Sequence, residues 1–165
     1  MNRTRELGPV FGFMQALWAL EQGLNRRSKA MHRAHGITGP QRLVVLVVAR
    51  LGPIAPGRLA SVLHLHPASV TRLARTLERR GMLRRRPHPS DRRQILLELA
   101  PRGHRIATRR SGTVEAAVRA ALARAPRAEV DSAVRLVRRV ATRLGAGGGA
   151  PAPAAGARGR SRERS

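Results

Sequence analysis

The sequence predicts a mainly α fold with a single small β-hairpin. Three observations carry this. Apolar residues recur at steps of three and four through most of the chain. Helix-start and helix-stop residues punctuate that pattern at regular intervals. One short stretch, around residues 82–99, instead shows two strand-like runs separated by turn chemistry. With 165 residues, of which 42% are hydrophobic, the chain suits one compact domain with a small extension.

The first helix is expected from Pro9 to about His35, on the spacing of Val10, Phe13, Met14, Leu17, Leu20 and Leu24. Gly36 supplies a stop. At 1.5 Å per residue such a helix is about 40 Å long, a length that suggests packing against a partner subunit. A second helix starts at the capping box of Thr38 and Gln41, with Pro40 in its first turn. The run Leu43-Val44-Val45-Leu46-Val47-Val48, bounded by Arg42 and Arg50, would pass for a buried strand on valine content. The capping box selects a buried helix ending near Leu51-Gly52-Pro53.

A short third helix is predicted over Pro56 to Leu63 with Leu59, Val62 and Leu63 inward, and a tight turn His64-Leu65-His66 follows. Pro67 opens a fourth helix that stops at Gly81, with His66 as its cap. Strands are expected over Met82 to Arg86 and Gln94 to Leu99, joined by the turn residues His88-Pro89-Ser90-Asp91. A fifth helix should run from Pro101 to about Ala125, with Ile106, Val114, Ala117, Val118, Ala121 and Leu122 on its apolar face. A sixth covers about Arg127 to Leu144. Residues 145–165, Gly, Ala, Pro, Arg and Ser with no bulky apolar side chain, should be disordered.

Charge narrows the function. The chain has 33 Lys+Arg against 9 Asp+Glu, a net charge of +24, and its only lysine is Lys29. Such a surface attracts polyanions, nucleic acid first and an anionic membrane second. Cysteine is absent, which excludes disulfides, thiol catalysis and thiolate metal sites. Aromatics are 2% of the chain, too few stacking platforms for a reader of splayed-out bases. The longest uncharged stretches, Leu7–Leu20 and Leu144–Ala157, fall short of the about 20 residues a spanning helix needs. Glu6 and Glu21 stand where a signal peptide would need a basic region and a small-residue cleavage site. The chain is therefore expected in the cytoplasm, with no membrane partner.

Within the expected folded region, residues 67–93 are the most densely basic, with net +7, a charge that takes all of residues 1–66 elsewhere. Orientation is more telling. On a helical wheel Val70, Leu73, Ala74 and Leu77 form one apolar stripe. Thr71, Arg75, Ala68, Arg79 and Arg72 lie on the opposite side, about 100° to 200° away from Val70. An arginine takes guanine bidentately and a threonine contacts a base edge or thymine methyl, while alanine permits close approach. A basic face alone is more often just a solvated one. A short helix, a tight turn, this helix and then a basic hairpin is the order of a winged helix-turn-helix.

Residues 37–103 resemble the multiple-antibiotic-resistance regulator (MarR) family of bacterial transcription factors. The resemblance is carried by Ile37-Thr38-Gly39-Pro40-Gln41, by Leu59-Ala60 and Leu63, and by Val70-Thr71-Arg72-Leu73. It continues through Leu77-Glu78-Arg79-Arg80-Gly81-Met82-Leu83, then Asp91-Arg92-Arg93, Leu97-x-Leu99 and Gly103. The family usually has Leu-Thr before its fifth helix; here Leu99 is followed by Ala100 and Pro101, which removes a side-chain cap worth about 1 kcal/mol.

The resemblance implies a winged helix-turn-helix lobe plus a long-helix dimerisation region. Residues 1–36 and 101–144 would dimerise, 37–100 would form the DNA-binding lobe, and 145–165 would be a basic tail. It implies a homodimer on pseudo-palindromic double-stranded DNA, a repressor relieved by a small aromatic or phenolic ligand, with no cofactor and no catalytic activity. Ser69, Thr71, Arg72, Arg75 and Arg79 would face the major groove. Arg58, Arg84, Arg85 and Arg86 would touch phosphate, and Arg92 or Arg93 would enter the minor groove. Asp91 would hold the wing turn by pairing with a wing arginine.

Competing uses of these residues are weaker. His32/His35 and His64/His66 have no third ligand pattern, and Thr108 stands where related metal sensors carry a histidine after His104. Ser69 has no accompanying acid or oxyanion loop, and Gly147-Gly148-Gly149 follows no strand. Phe13, Met14 and Trp18 suit core or dimer packing better than a ligand pocket. The alternative function is sequence-independent DNA packing of the nucleoid type, and a third is association with anionic membranes.

Overall fold

In the computed structural model, residues 8–91 and 93–145 are described. The element order is α1 (Gly8–His35), α2 (Gly39–Leu51), α3 (Pro56–Leu63), α4 (Pro67–Arg79), β1 (Leu83–Pro87), β2 (Ile95–Leu99), α5 (Pro101–Ala107), α6 (Val114–Leu122) and α7 (Arg127–Gly145). The expected tail beyond residue 145 lies outside the described residues, as does Arg92.

The chain divides into two units, Met1–Ala121 and Leu122–Ser165. The core of the first unit gathers Met31 from α1, Val44, Val45 and Val48 from α2, and Leu59 from α3. Val70, Ala74 and Leu77 from α4, Leu83 from β1, Leu97 and Leu99 from β2 and Ile106 from α5 belong to it as well. In the second unit α7 has no buried residue.

α2 is the centre of this packing. Thr38 is extended at its start, and the Gln41 side chain accepts from the Thr38 backbone N–H at 3.1 Å. The Gly39 N–H, one of the donors a helix start leaves unpaired, donates to Ser28 Oγ of α1 at 2.8 Å. The chain leaves α2 through Gly52, whose φ of 73° suits glycine.

The strands pair antiparallel in the register Leu83↔Leu99, Arg84↔Glu98, Arg85↔Leu97. A further bridge, Ile54↔Leu97, ties the hairpin to the α2–α3 connection, with N–H···O distances of 3.0 and 2.9 Å in the two directions. Gly103 packs the start of α5 against the base of this hairpin so closely that a Cβ on it would lie 2.1 Å from the Met82 carbonyl oxygen. Ala100 precedes α5 without a side-chain cap, as its sequence context predicts.

Two expectations are corrected. Val62 is exposed and Ala60 is buried in its place, because α3 meets the core along Leu59 and Ala60. The fifth helix is not continuous to Ala125; it breaks after Ala107 and restarts at Val114. Gly112 takes φ 67° in the break, and the Thr113 hydroxyl accepts from Ala116 N–H at 3.3 Å as a cap for α6. Arg42, read from sequence as a boundary residue, is 2% exposed and fills the break. Its guanidinium donates to the carbonyls of Ile106 at 2.5 Å and Arg109 at 2.6 Å, and from Nε to Glu115 Oε1 at 2.7 Å. The guanidinium thus gives the Arg109 carbonyl a donor inside the fold and adds one to the Ile106 carbonyl, which also accepts the Arg109 N–H at 3.2 Å.

Along α1 only Met31 is buried, and Val10, Phe11, Trp18 and Leu20 are more than half exposed. Among the described residues no helix is long and apolar enough to cross a membrane.

Candidate nucleic-acid interface

α3 and α4 are joined by a turn in which His64 takes the left-handed conformation, φ 52° and ψ 40°. Leu65 N–H closes it on the Ala60 carbonyl at 3.1 Å. His66 then caps α4, its Nδ1 accepting from Ala68 N–H at 3.3 Å. Pro67 follows in the first turn, where its missing N–H costs nothing.

The wheel drawn from sequence matches α4. Val70, Ala74 and Leu77 are buried, and Leu73 is half-buried. Ala68, Arg72, Arg75 and Arg79 are on the other side, turned toward solvent. Thr71 and Ser69 are half-buried, and the Thr71 hydroxyl donates to the Pro67 carbonyl at 3.0 Å, which leaves its oxygen able to accept. No ion pair involves Arg72, Arg75 or Arg79 among the described residues. Arg58 on α3 is exposed. Arg80 instead serves the fold, as its guanidinium donates to the Gly36 carbonyl at 2.5 Å and closes the end of α1.

The wing arginines differ from those of α4. Arg84 meets Glu98 at 2.6 Å, Arg86 meets the other oxygen of Glu98 at 3.8 Å, and Arg85 meets Glu78 at 2.8 Å. These pairings follow from the register: Arg84, Arg86 and Glu98 share one face of the hairpin, and Arg85 shares the other with Leu97. Sequence reasoning misses the two carboxylates, although the alternation of β1 and β2 places Glu98 opposite an arginine.

Asp91 lies in the turn and makes two hydrogen bonds within it. Its Oδ1 accepts the backbone N–H of Arg93 at 3.0 Å, and its Oδ2 accepts from Gln94 Nε2 at 2.9 Å. The Arg93 side chain is exposed and makes no ion pair among the described residues, and the other wing arginine, Arg92, lies outside them.

An open pocket of about 640 Å³ runs along α2 from Arg42 to Leu51, walled by Ala107–Arg110, Glu115 and Arg119. Phe13, Met14 and Trp18 do not line it. Glu115 sits at its edge: burial pushes its carboxyl up, but hydrogen bonds from Arg42, its own backbone N–H and Thr113 outweigh that and hold it below its ordinary value.

Residues 37–95 match the model of the MarR family. An HTH-type transcriptional regulator of Mycobacterium tuberculosis is 31% identical over 80 residues, 48% of this chain and 56% of that protein. The chain thus aligns with just over half the length of this relative. Among solved structures, a MarR/EmrR family transcriptional regulator from Acinetobacter sp. ADP1 superposes with a TM-score of 0.66 at 18% identity, covering 88% of this chain and 99% of that one. The PcaV transcriptional regulator from Streptomyces coelicolor, in complex with its natural ligand, gives 0.60 at 23% identity, covering 76% and 91%. At these identities the likeness shows a shared fold.

Proposed function

We propose, from the match of residues 37–95 to the MarR family model, that the chain is a DNA-binding transcriptional regulator. It acts as a homodimer on a pseudo-palindromic operator, as a repressor released by a small ligand. The observation that carries this reading is the division of α4: Val70, Ala74 and Leu77 are sealed against the lobe while Arg72, Arg75 and Arg79 stand outward and make no ion pair among the described residues. Two copies of α4 enter successive major grooves, about 10 base pairs apart. Arg72 and Arg75 read base edges, assisted by Ser69 and Thr71, and Arg79 lies at the groove margin.

Arg58 and the β1 arginines contact phosphate, and Arg93 or Arg92 reaches the minor groove, which favours narrow A·T-rich stretches. The apolar residues that α1 leaves exposed, Val10, Phe11, Trp18 and Leu20, support the dimer. Residues 1–36 and 101–144 form its interface in this reading, and 37–100 the DNA-binding lobe. Ligand release acts by changing the spacing of the two lobes, with no chemical step.

Footprinting on the DNA upstream of the protein's own coding sequence tests the reading. A protected palindrome supports it. Uniform coating overturns it in favour of sequence-independent packing, the reading that the net charge of +24 favours.

A further inference from the structure

The charged groups of the wing are not equally free to meet DNA. Arg84 and Arg86 flank a single carboxylate, Glu98, one on each oxygen, at 2.6 and 3.8 Å. Glu98 is fixed in place: it lies directly opposite Arg84 in the register, between buried Leu97 and Leu99, and its side chain is only 16% exposed. The arginines keep their heads in solvent, with Arg84 66% exposed and Arg86 50%. A carboxylate that cannot swing away therefore stands beside two cations that otherwise face outward freely. By contrast, none of the arginines on the outer face of α4 is paired among the described residues.

We propose that Glu98 is a positioning residue that limits sequence-independent binding, by competing with the DNA backbone for Arg84 and Arg86 and so weakening their phosphate contacts. This rests on the duplex-binding reading above. The physics is competition. A phosphate approaching either arginine displaces a fixed carboxylate, and the trio presents one net positive charge instead of two. Phosphate contacts supply the salt-dependent part of affinity that carries no base information. Restraining them on the wing leaves discrimination to the unpaired arginines of α4. Glu78 acts on Arg85 in the same sense, at 2.8 Å.

The test uses the full chain and a mixed-sequence duplex of about three helical turns. Affinity is measured across salt for the wild type, Glu98→Gln and Asp131→Asn. Asp131 is an exposed acid whose ion pair, with Arg127, lies within α7, so its loss changes net charge equally without touching the wing. Glu98→Gln is expected to steepen the log–log salt slope by about 0.9, so that affinity falls about three- to fourfold further between about 50 and 200 mM salt. Asp131→Asn should leave the slope unchanged.

Equal slopes for Glu98→Gln and the wild type, or equal steepening in both variants, overturn the proposal. A second variant works without altering Glu98. Removing both Arg84 and Arg86 as alanines from the wild type should flatten the slope by less than one full contact; a loss near two contacts overturns the proposal. A wild type with no salt-dependent duplex affinity overturns the duplex reading itself.

Discussion

Arg42 and Glu115 lie 73 positions apart in sequence, and Arg42 Nε donates to Glu115 Oε1 at 2.7 Å. The contact joins α2 to α6 across the break that follows α5. The same guanidinium also satisfies the carbonyls of Ile106 and Arg109, so one side chain closes a helix end and anchors the next helix start. Replacing Arg42 by alanine takes the charged partner from Glu115 and this donor from the Arg109 carbonyl, while the Ile106 carbonyl keeps the Arg109 N–H. The cost expected is about 2–4 kcal/mol, below the top of the range for a buried pair because Glu115 remains 33% exposed. Urea unfolding at neutral pH measures it; a change under about 0.5 kcal/mol would show that the break needs no donor.

The same pair gives a pH dependence of known sign. Glu115 has its folded pKa below the ordinary carboxylate value of 4.5, because the hydrogen bonds overcome the effect of burial. Between the folded and unfolded values the unfolded chain binds more protons, so stability there rises with pH. The contribution is complete above the unfolded value and disappears as pH falls through the folded one. Urea midpoints of Glu115→Gln should therefore converge on those of the wild type as the solution is acidified below pH about 4.5.

Gly103 offers a sharper packing test. A Cβ there would meet the Met82 carbonyl oxygen at 2.1 Å, a backbone atom that already accepts from Ala100 N–H. Gly103→Ala must separate α5 from the base of the hairpin. A loss of about 1–3 kcal/mol or more is expected, against the usual gain for alanine inside a helix. A melting temperature equal to or above that of the wild type would refute the close approach.

His64 stands at a position suited to glycine, with φ 52°. His64→Gly should relieve about 1 kcal/mol of backbone cost, partly offset by the added freedom of the unfolded chain. A β-branched residue there, as in His64→Val, should destabilise the turn. Thermal melts that rank valine above histidine would contradict the left-handed turn between α3 and α4.

Arg72 and Arg84 separate base reading from phosphate contact. Arg72→Ala should cost about 1–3 kcal/mol and relax preference at one base position. Arg84→Ala should weaken binding to every sequence alike. A selection from randomised duplexes, sequenced for each variant, reads the difference. Identical base preferences in Arg72→Ala and the wild type would remove Arg72 from the readout.

The helix-turn-helix was legible because it is local. A period of three and four residues, Pro67 behind a capping His66, and a stop at Gly81 each act within one or two turns of backbone. The hairpin was legible for the same reason, to within a residue at each strand start. What escaped the sequence was set by distant partners. Arg42 looked like the polar edge of an apolar run because its acceptors lie on α5, in the break and on α6. The break itself was signalled by Ser111-Gly112-Thr113, but the apolar spacing from Ile106 to Leu122 outweighed that signal. The candidate interface followed suit: the outward set on α4 was read from one wheel, whereas the pairing of the wing arginines depends on strand register and on the approach of Glu78. The hydrogen bonds of Asp91 to the Arg93 N–H and the Gln94 amide were not read from the sequence, because a carboxylate among arginines suggests an ion pair and draws attention from the backbone and amide donors that a tight turn brings close.

α2 draws its stability from outside itself. Its inner face is valine, a residue that loses side-chain freedom in a helix, and Val44, Val45 and Val48 are all buried by other elements. Thirteen residues is also a marginal length for an isolated helix. Cut out as a peptide, residues 39–51 would be unstructured in water. The centre of the lobe thus acquires its shape only when its surroundings close on it, so α4 has no folded platform to stand on until the rest of the lobe has assembled in one cooperative step.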